Sequence, residues 1–326
     1  MLKLGIDIQS LIGRFRVWAL SFRGGMTLLC LIGLLLVPLT GSQYLTKVVI
    51  TAMILAIFAA SWDLLAGFAG QVSFGHSAFF GISGYFTAAF VEFFGAPWFI
   101  ALFIGAGYAV ICSVLIGIPC LRLKGPYLAL GTLAFSLILY NLFLTGTWLG
   151  GTEGISGLPS LGSPFAVFYI IAAFMVASLI IMRAIIDSRL GTILKAIRDD
   201  ETGADATGIN TTVYKLIAFM VSGLFAGIAG SLFVLDTTAV NPALYQPLYS
   251  FYAIIMASIG GIATIYGSIV GSFLFTLLSE FLRPLAAASL LIFATLLIII
   301  VRFAEEGVMN PFLERVQDVW DMIRRK

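Results

Sequence analysis

The chain has 326 residues, 60% hydrophobic and 10% charged, with 18 basic and 16 acidic residues and a net charge of +2. Soluble proteins carry about 25% charged residues, so the composition excludes a water-soluble fold. The near balance of charge excludes a broad cationic face for nucleic acid.

Residues 1–23 carry Lys3, Arg14, Arg16 and Arg23 ahead of an apolar stretch, which superficially resembles a secretory signal. No small-x-small cleavage site follows, and Pro38, Thr40 and Gly41 read as a helix exit. The expectation is a basic, partly amphipathic cytoplasmic segment over 1–23, then a retained first span. About 20 apolar residues cross a bilayer core, and the interruptions divide the chain into segments near that length: 24–39, 47–66, 77–94, 98–120, 126–146, 164–186, 213–235, 248–262, 264–282 and 285–303. This predicts an all-α polytopic membrane protein of about ten transmembrane helices, with a membrane domain over 24–303 and a cytoplasmic tail over 304–326. Residues 93–121, 154–182 and 237–279 contain no charge at all. Cys30, Cys112 and Cys120 lie in apolar runs without metal-ligand spacing and read as packing residues.

Lys and Arg near short loops stay on the cytoplasmic side. With the N-terminus inside and ten alternating segments, 16 basic residues fall inside, and only Lys47 and Arg283 fall outside. Both termini and the stretch 187–212 are therefore expected in the cytoplasm, and the loop 147–163 outside.

Two inside turns carry no charge and are rich in glycine: Gly67 to His76, reading GFAGQVSFGH, and Gly260 to Gly267, reading GGIATIYG. The segments flanking the second are short, so they form either two short spans or a re-entrant hairpin. Broken helices at corresponding places in two halves mark a pathway, because freed backbone groups then face a water-filled cavity. Gln71, Ser73, Gly75 and His76, with Gly260, Gly261 and Gly267, are the candidate pathway residues. For His76, the only histidine, the alternative is a hydrogen bond to a freed carbonyl at the break. One histidine with these neighbours makes no metal site.

The loop 147–163 reads GGTEGISGLP around Thr152 and Glu153, which either form a solvated turn or shape an external contact. Asn141, Asp236, Thr237, Thr238 and Asn241 lie near the same face, as caps or contacts. Inside, DSRLGTILKAIRDDETGADATGINTT places Leu190, Ile193, Leu194 and Ile197 at helical spacing opposite Lys195, Arg198 and Asp199. A second short helix follows Asp200 and Glu201 and ends near Gly208. This pattern suits docking onto a cytoplasmic partner, against the plainer reading of a solvated loop. Gly223, Gly227 and Gly230, with Ala226 and Ala229, leave one helix face nearly bare, as a packing seam, and Gly267 and Gly271 repeat the spacing. Glu280 and Arg283 are placed to pair at i, i+3.

The blocks LLAGFAGQVSFGHSAFFGISGYF, LKGPYLALGTLAFSLI, GGTEGISGLP and GTILKAIRDDETGADATGINTTVYKLIAFMVSGLFAGIAGSLF resemble the branched-chain amino acid permease family of ABC importers, most closely the larger of its two permease types. The resemblance runs over about residues 55 to 305. It implies a permease of the bacterial inner membrane that works with a second homologous permease, two cytoplasmic ATPase subunits and an external solute-binding protein. It also implies a coupling loop at 189–210, with Glu201, Ala204, Ala206 and Gly208 meeting the family pattern and Thr202 and Gly203 standing where alanines are common. ATP and Mg would be bound by the partners, since no G-x-x-x-x-G-K-[ST] loop occurs here.

Two other classes compete. A gradient-coupled carrier would place ionisable residues deep in the membrane, yet Asp63, His76, Glu92, Asp236 and Glu280 all fall near segment ends. An enzyme would need convergent catalytic residues, and none converge in the sequence. The solute is an amino acid on this reading, with urea or short amides as the alternative.

Overall fold

In the computed structural model, residues 33–123 and 125–283 are described, together with 291, 292 and 295. Most of the expected spans 24–39 and 285–303, and the terminal segments 1–23 and 304–326, lie outside the described residues. The expected exit near Pro38 is present as a 3-10 turn, Val37–Thr40, closed by Gly41 at φ 72°.

The first long helix, α1 (Gln43–Asp63), starts at Ser42, whose hydroxyl accepts from the Leu45 N–H at 3.3 Å. It passes into a π-helical turn, Leu64–Phe68. Then come α2 (His76–Phe94), α3 (Trp98–Cys120), α4 (Pro126–Thr145) and α5 (Pro164–Asp187). Two short helices follow, α6 (Arg189–Asp199) and α7 (Glu201–Ala206). The chain continues with α8 (Thr211–Thr237), α9 (Pro247–Gly260) and α10 (Ile265–Phe281). Proline opens α4, α5 and α9, where its fixed φ suits the first turn and its missing N–H would have had no helical partner.

Six of the described helices are long and apolar enough to cross a membrane: α1 with its π turn, α2, α3, α4, α5 and α8. α9 and α10 pass that test only as a pair, bent by 113° across their break. The eight segments expected from 47 to 282 are thus present as six such helices and one bent pair, and an alternating count of ten is not seen among the described residues. α1 and α8 are the most deeply buried, with α1 against α5, α8, α9 and α10, and α8 also against α2 and α3. Apolar side chains such as Leu115, Tyr127, Leu130, Ile138 and Ile180 are exposed on outer faces, where hydrocarbon replaces water as the surrounding medium.

The expected seam on α8 is real. A Cβ on Gly223 would lie 2.7 Å from the Ser113 Cβ, one on Gly227 2.7 Å from the Ala109 Cβ, and one on Gly230 2.1 Å from the Phe80 carbonyl oxygen. Bare glycine faces let α8 touch α2 and α3 at backbone distance, which is how helices gain dispersion contacts where no hydrophobic effect drives them together. Hydroxyls reinforce it: Ser83 donates to the Gly227 carbonyl at 2.6 Å, and Thr87 Oγ1 lies 2.8 Å from Ser231 Oγ.

At one end of the bundle, two-residue strands β1 (Ile155–Ser156) and β2 (Ala239–Val240) pair antiparallel. The glycine-rich loop is therefore tied to the segment after α8. Gly154 permits it, since a Cβ there would meet the Val240 carbonyl oxygen at 1.9 Å. The same end carries the Lys47–Asp236 ion pair at 2.6 Å and the expected Arg283–Glu280 pair at 2.9 Å, with Tyr44 also bonded to Glu280. At the opposite end lie both glycine-rich breaks, α6 and α7.

Candidate functional site

The first break, from Ala69 to Gly75, interrupts the hydrogen-bond ladder between α1 and α2, so its backbone groups need other partners. The break and the first turn of α2 after it find them on three helices. Phe74 N–H donates to Thr132 Oγ1 on α4 at 3.0 Å, and Ser77 N–H donates to Ser250 Oγ on α9 at 2.8 Å. The Trp62 indole N–H on α1 donates to the Ser73 carbonyl at 2.8 Å. Ser136 and Ser77 both reach the Tyr245 carbonyl, at 2.6 and 3.1 Å, and their hydroxyls lie 2.9 Å apart. A Cβ on Gly75 would come within 2.0 Å of the Thr132 carbonyl oxygen, so this approach requires glycine.

His76 opens α2 fully buried. Its Nε2 lies 2.9 Å from Ser61 Oγ, and that hydroxyl donates to the Phe58 carbonyl at 2.7 Å. A hydroxyl has one proton, so Nε2 carries the hydrogen and donates to Ser61. The ring also packs against Phe58 and Phe79, with centroids 5.2 and 5.4 Å away. His76 is thus bonded to a hydroxyl, where the sequence suggested a carbonyl or an open wall.

The second break is held differently. A Cβ on Gly260 would lie 1.8 Å from the Gly267 carbonyl oxygen, and one on Gly267 would lie 2.3 Å from the Gly260 carbonyl oxygen. Gly271 repeats this against the Met256 carbonyl oxygen at 1.8 Å. These glycines are where the arms α9 and α10 touch. Gly261 turns the chain at φ 104°, and Ala263 follows at φ 62°. The Ala263 N–H donates to Asp63 Oδ1 at 2.7 Å.

Of the candidate pathway residues, Ser73, Gly75, His76, Gly260, Gly261 and Gly267 are buried, and Gln71 is partly exposed. The buried ones are packed inside the chain, while Val72 and Ile262 in the same turns are exposed. The structure does bring the two turns together, through Asp63 at the end of α1.

α6 begins at Ser188, whose hydroxyl accepts from the Leu190 N–H at 3.2 Å. Gly191 lets it tuck under α5, since a Cβ there would lie 2.0 Å from the Ile186 carbonyl oxygen. Leu194 and Ile197 are buried, and Leu190 packs against the same core. Ile193 is half-buried. The apolar stripe is therefore covered largely by the chain itself, which corrects the inference that it needs a partner to cover it. Periodicity shows that a face is apolar; it does not show what covers it.

The charged side of α6 meets the first break. Arg198 Nη1 donates to the Gly67 carbonyl at 2.9 Å, while its Nε and Nη2 bond Asp199 Oδ1 at 2.9 and 2.8 Å. Lys195 Nζ stands 5.7 Å from the centre of the Phe68 ring. On α7, Glu201 pairs with the buried Lys215 of α8 at 2.5 Å. Gly208 takes φ 87°, which explains a glycine at the end of α7, and the Asn210 side chain then caps α8. Left facing outward are Arg189, Thr192, Ala196, Asp199, Thr202 and Asp205. Thr152 and Glu153 are exposed at the far end of the bundle.

Sequence reasoning missed Thr132, Ser136, Ser250 and Ser61 as partners of the break. Each is a hydroxyl in an apolar helix, and even the i, i+4 spacing of Thr132 and Ser136 on α4 does not announce which groups they meet.

A family model described as the branched-chain amino acid transport system, permease component, matches residues 44–301. The chain is 26% identical over 303 residues to the high-affinity branched-chain amino acid transport system permease protein LivM of Escherichia coli (strain K12), which covers 83% of this chain and 71% of that protein. LivM of Salmonella typhimurium gives the same identity and coverage. The autoinducer 2 import system permease protein LsrC of Yersinia enterocolitica is 27% identical over 183 residues, covering 54% of this chain and 50% of that protein. No solved structure matches.

Proposed function

Because the chain belongs to the permease-component family of branched-chain amino acid transport systems, we propose that it is the membrane subunit of an ATP-driven importer that carries branched-chain or similar amino acids across the bacterial inner membrane. It would act beside a second homologous permease, above two ATPase subunits that hold ATP and Mg, and below an external solute-binding protein. Residues 189–210 would dock on an ATPase through the outward face of α6 and α7, with both termini on that side. Thr152 and Glu153, on the tied external loop, would meet the binding protein. The two glycine-rich breaks would open onto the solute route.

The observation that carries this reading is the seat of α6: Arg198 bonds the carbonyl of Gly67, inside the π turn that ends α1. A segment that faces solvent on one side and grips a helix break on the other can pass a partner's motion into the membrane. Ala196, exposed on α6, gives the test. Ala196→Asp is expected to cut co-purification with the ATPase at least several-fold, because a charge in the centre of a contact is costly. In vesicles holding the complete complex, leucine uptake should require ATP and survive an uncoupler. Uptake that persists with an inactivated ATPase but collapses with an uncoupler would overturn the importer reading.

A further inference from the structure

Three elements far apart in sequence meet at the buried end of α1. Asp63 is fully buried, and its Oδ1 accepts the Ala263 N–H at 2.7 Å across 200 positions of sequence. One turn further along the chain, the Gly67 carbonyl accepts from Arg198 of α6 at 2.9 Å. Gly67 stands between the two: a Cβ there would lie 2.3 Å from Asp63 Oδ1 and 2.6 Å from the Ala263 nitrogen. Gly70, at φ 69°, lets the backbone of α6 approach, since its Cβ would lie 3.2 Å from the Arg198 Cα. The intervening residues form a π-helical turn, a local excess of one residue that a helix can shift or absorb and that recurs at functional sites.

From this geometry we propose that Asp63 and Arg198 are a latch: Arg198 grips the π turn from α6, and Asp63 passes the displacement to the Gly261–Thr264 turn, so that both breaks move as one unit with α6. The proposal rests on the importer reading for what drives α6, but the mechanical link belongs to this chain alone. A carboxylate buried this deeply is costly to maintain by comparison with a neutral residue. Its placement at the junction of the two breaks gives that cost a purpose. Both residues are positioning residues; neither needs to touch the solute.

The Ala263 amide, protected by Asp63, reports the latch directly. In the purified chain, Arg198→Gln should speed hydrogen exchange in peptides spanning 261–264 by roughly ten-fold, although the Arg198 hydrogen bonds go to Gly67 and Asp199 and not to that turn. Asp63→Ala should do the same more strongly, while Asp63→Asn, which keeps an acceptor for the Ala263 N–H, should restore much of the protection. In the complex with its ATPase subunits, Arg198→Gln should still assemble and should lower solute uptake per ATP hydrolysed several-fold. Exchange at 261–264 that is unchanged in Arg198→Gln would overturn the latch, whatever the transport result. Arg198 is partly exposed, so that variant remains informative if Asp63→Ala fails to fold. If the wild-type complex shows no ATP-dependent uptake, the importer reading fails by itself, and the exchange measurement still decides the latch.

Discussion

The two glycine-rich breaks look alike in sequence and are held by different forces. The first is a stretch of non-helical backbone that, with the opening turn of α2, is bonded by Thr132, Ser250 and Trp62 from three other helices. The second is a tight corner where α9 and α10 touch through the backbones of Gly260, Gly267 and Gly271, and one carboxylate, Asp63, bonds its turn. Glycine in the first break lets the chain approach hydrogen-bonding partners; glycine in the second lets two helices approach each other. A break held by side-chain hydrogen bonds can exchange them for water or solute, whereas a break held by backbone contact has to part its two helices to open. The contrast makes the first break a hydrogen-bonded junction and the second a contact-packed corner.

The contrast is broken most directly at Gly260. An added Cβ would meet the Gly267 carbonyl carbon at 2.1 Å and its oxygen at 1.8 Å, and neither can swing away as a side chain could. Gly260→Ala is expected to cost more than about 3 kcal/mol, at or beyond the upper end of ordinary overpacking. It should show as loss of monodisperse protein or a large fall in the thermal midpoint. Gly107 on α3 is the control, because nothing lies within 4 Å of where its Cβ would stand, and Gly107→Ala should be neutral or slightly stabilising. Equal effects of the two substitutions would show that the α9–α10 corner is not held by contact.

The hydrogen-bonded character of the first break is sharpened by Thr132→Val, which keeps the shape and removes the acceptor for the Phe74 N–H. Leaving that donor unmatched is expected to cost about 1–2 kcal/mol, within the range for hydrogen bonds inside membrane proteins and for buried unsatisfied groups. Thr264→Val in the second break removes a hydroxyl that donates to the Gly261 carbonyl and leaves no backbone donor unmatched, so its cost should be smaller. Paired thermal unfolding measurements would compare them. A larger loss at Thr264 would reverse the assignment of forces.

Much of this was legible in the sequence. The expected segments 98–120, 126–146 and 164–186 agree with α3, α4 and α5 within one residue at each end, because apolar runs bounded by proline and glycine leave little freedom. The seam Gly223–Gly227–Gly230 was legible for a similar reason: a bare face in a membrane helix has one common use. The partners of the breaks were not. Thr132 and Ser250 are 58 and 173 positions from the amides they bond, and only the packing of α4 and α9 against α2 brings them there. The stripe on α6 is apolar as its spacing indicates, but its cover, the neighbouring core around Leu194, depends on Gly191 allowing close approach to Ile186. The pairing of β1 with β2 rests on two residues in each strand, too few for any alternation to register.

The smallest effect is expected at Lys195, and it separates contact from coupling. Lys195 and Arg198 lie on the same helix, and both reach the first break, but through different physics. Lys195 places its ammonium 5.7 Å from the Phe68 ring centre, an attraction worth about 0.5–1 kcal/mol when partly exposed. Arg198 instead bonds a backbone carbonyl inside the π turn. Lys195→Met keeps the apolar stem that packs along the ring and removes the charge. The stability loss should be under about 1 kcal/mol, and the gap between wild type and variant should shrink further at high salt, where partly exposed charges are screened. Because Lys195 meets the Phe68 ring and not the backbone of the π turn, exchange at 261–264 should stay at the wild-type rate. If Lys195→Met loosens that turn as much as Arg198→Gln does, α6 acts on both breaks by general packing, and the two breaks are not distinguished by which side chain holds them.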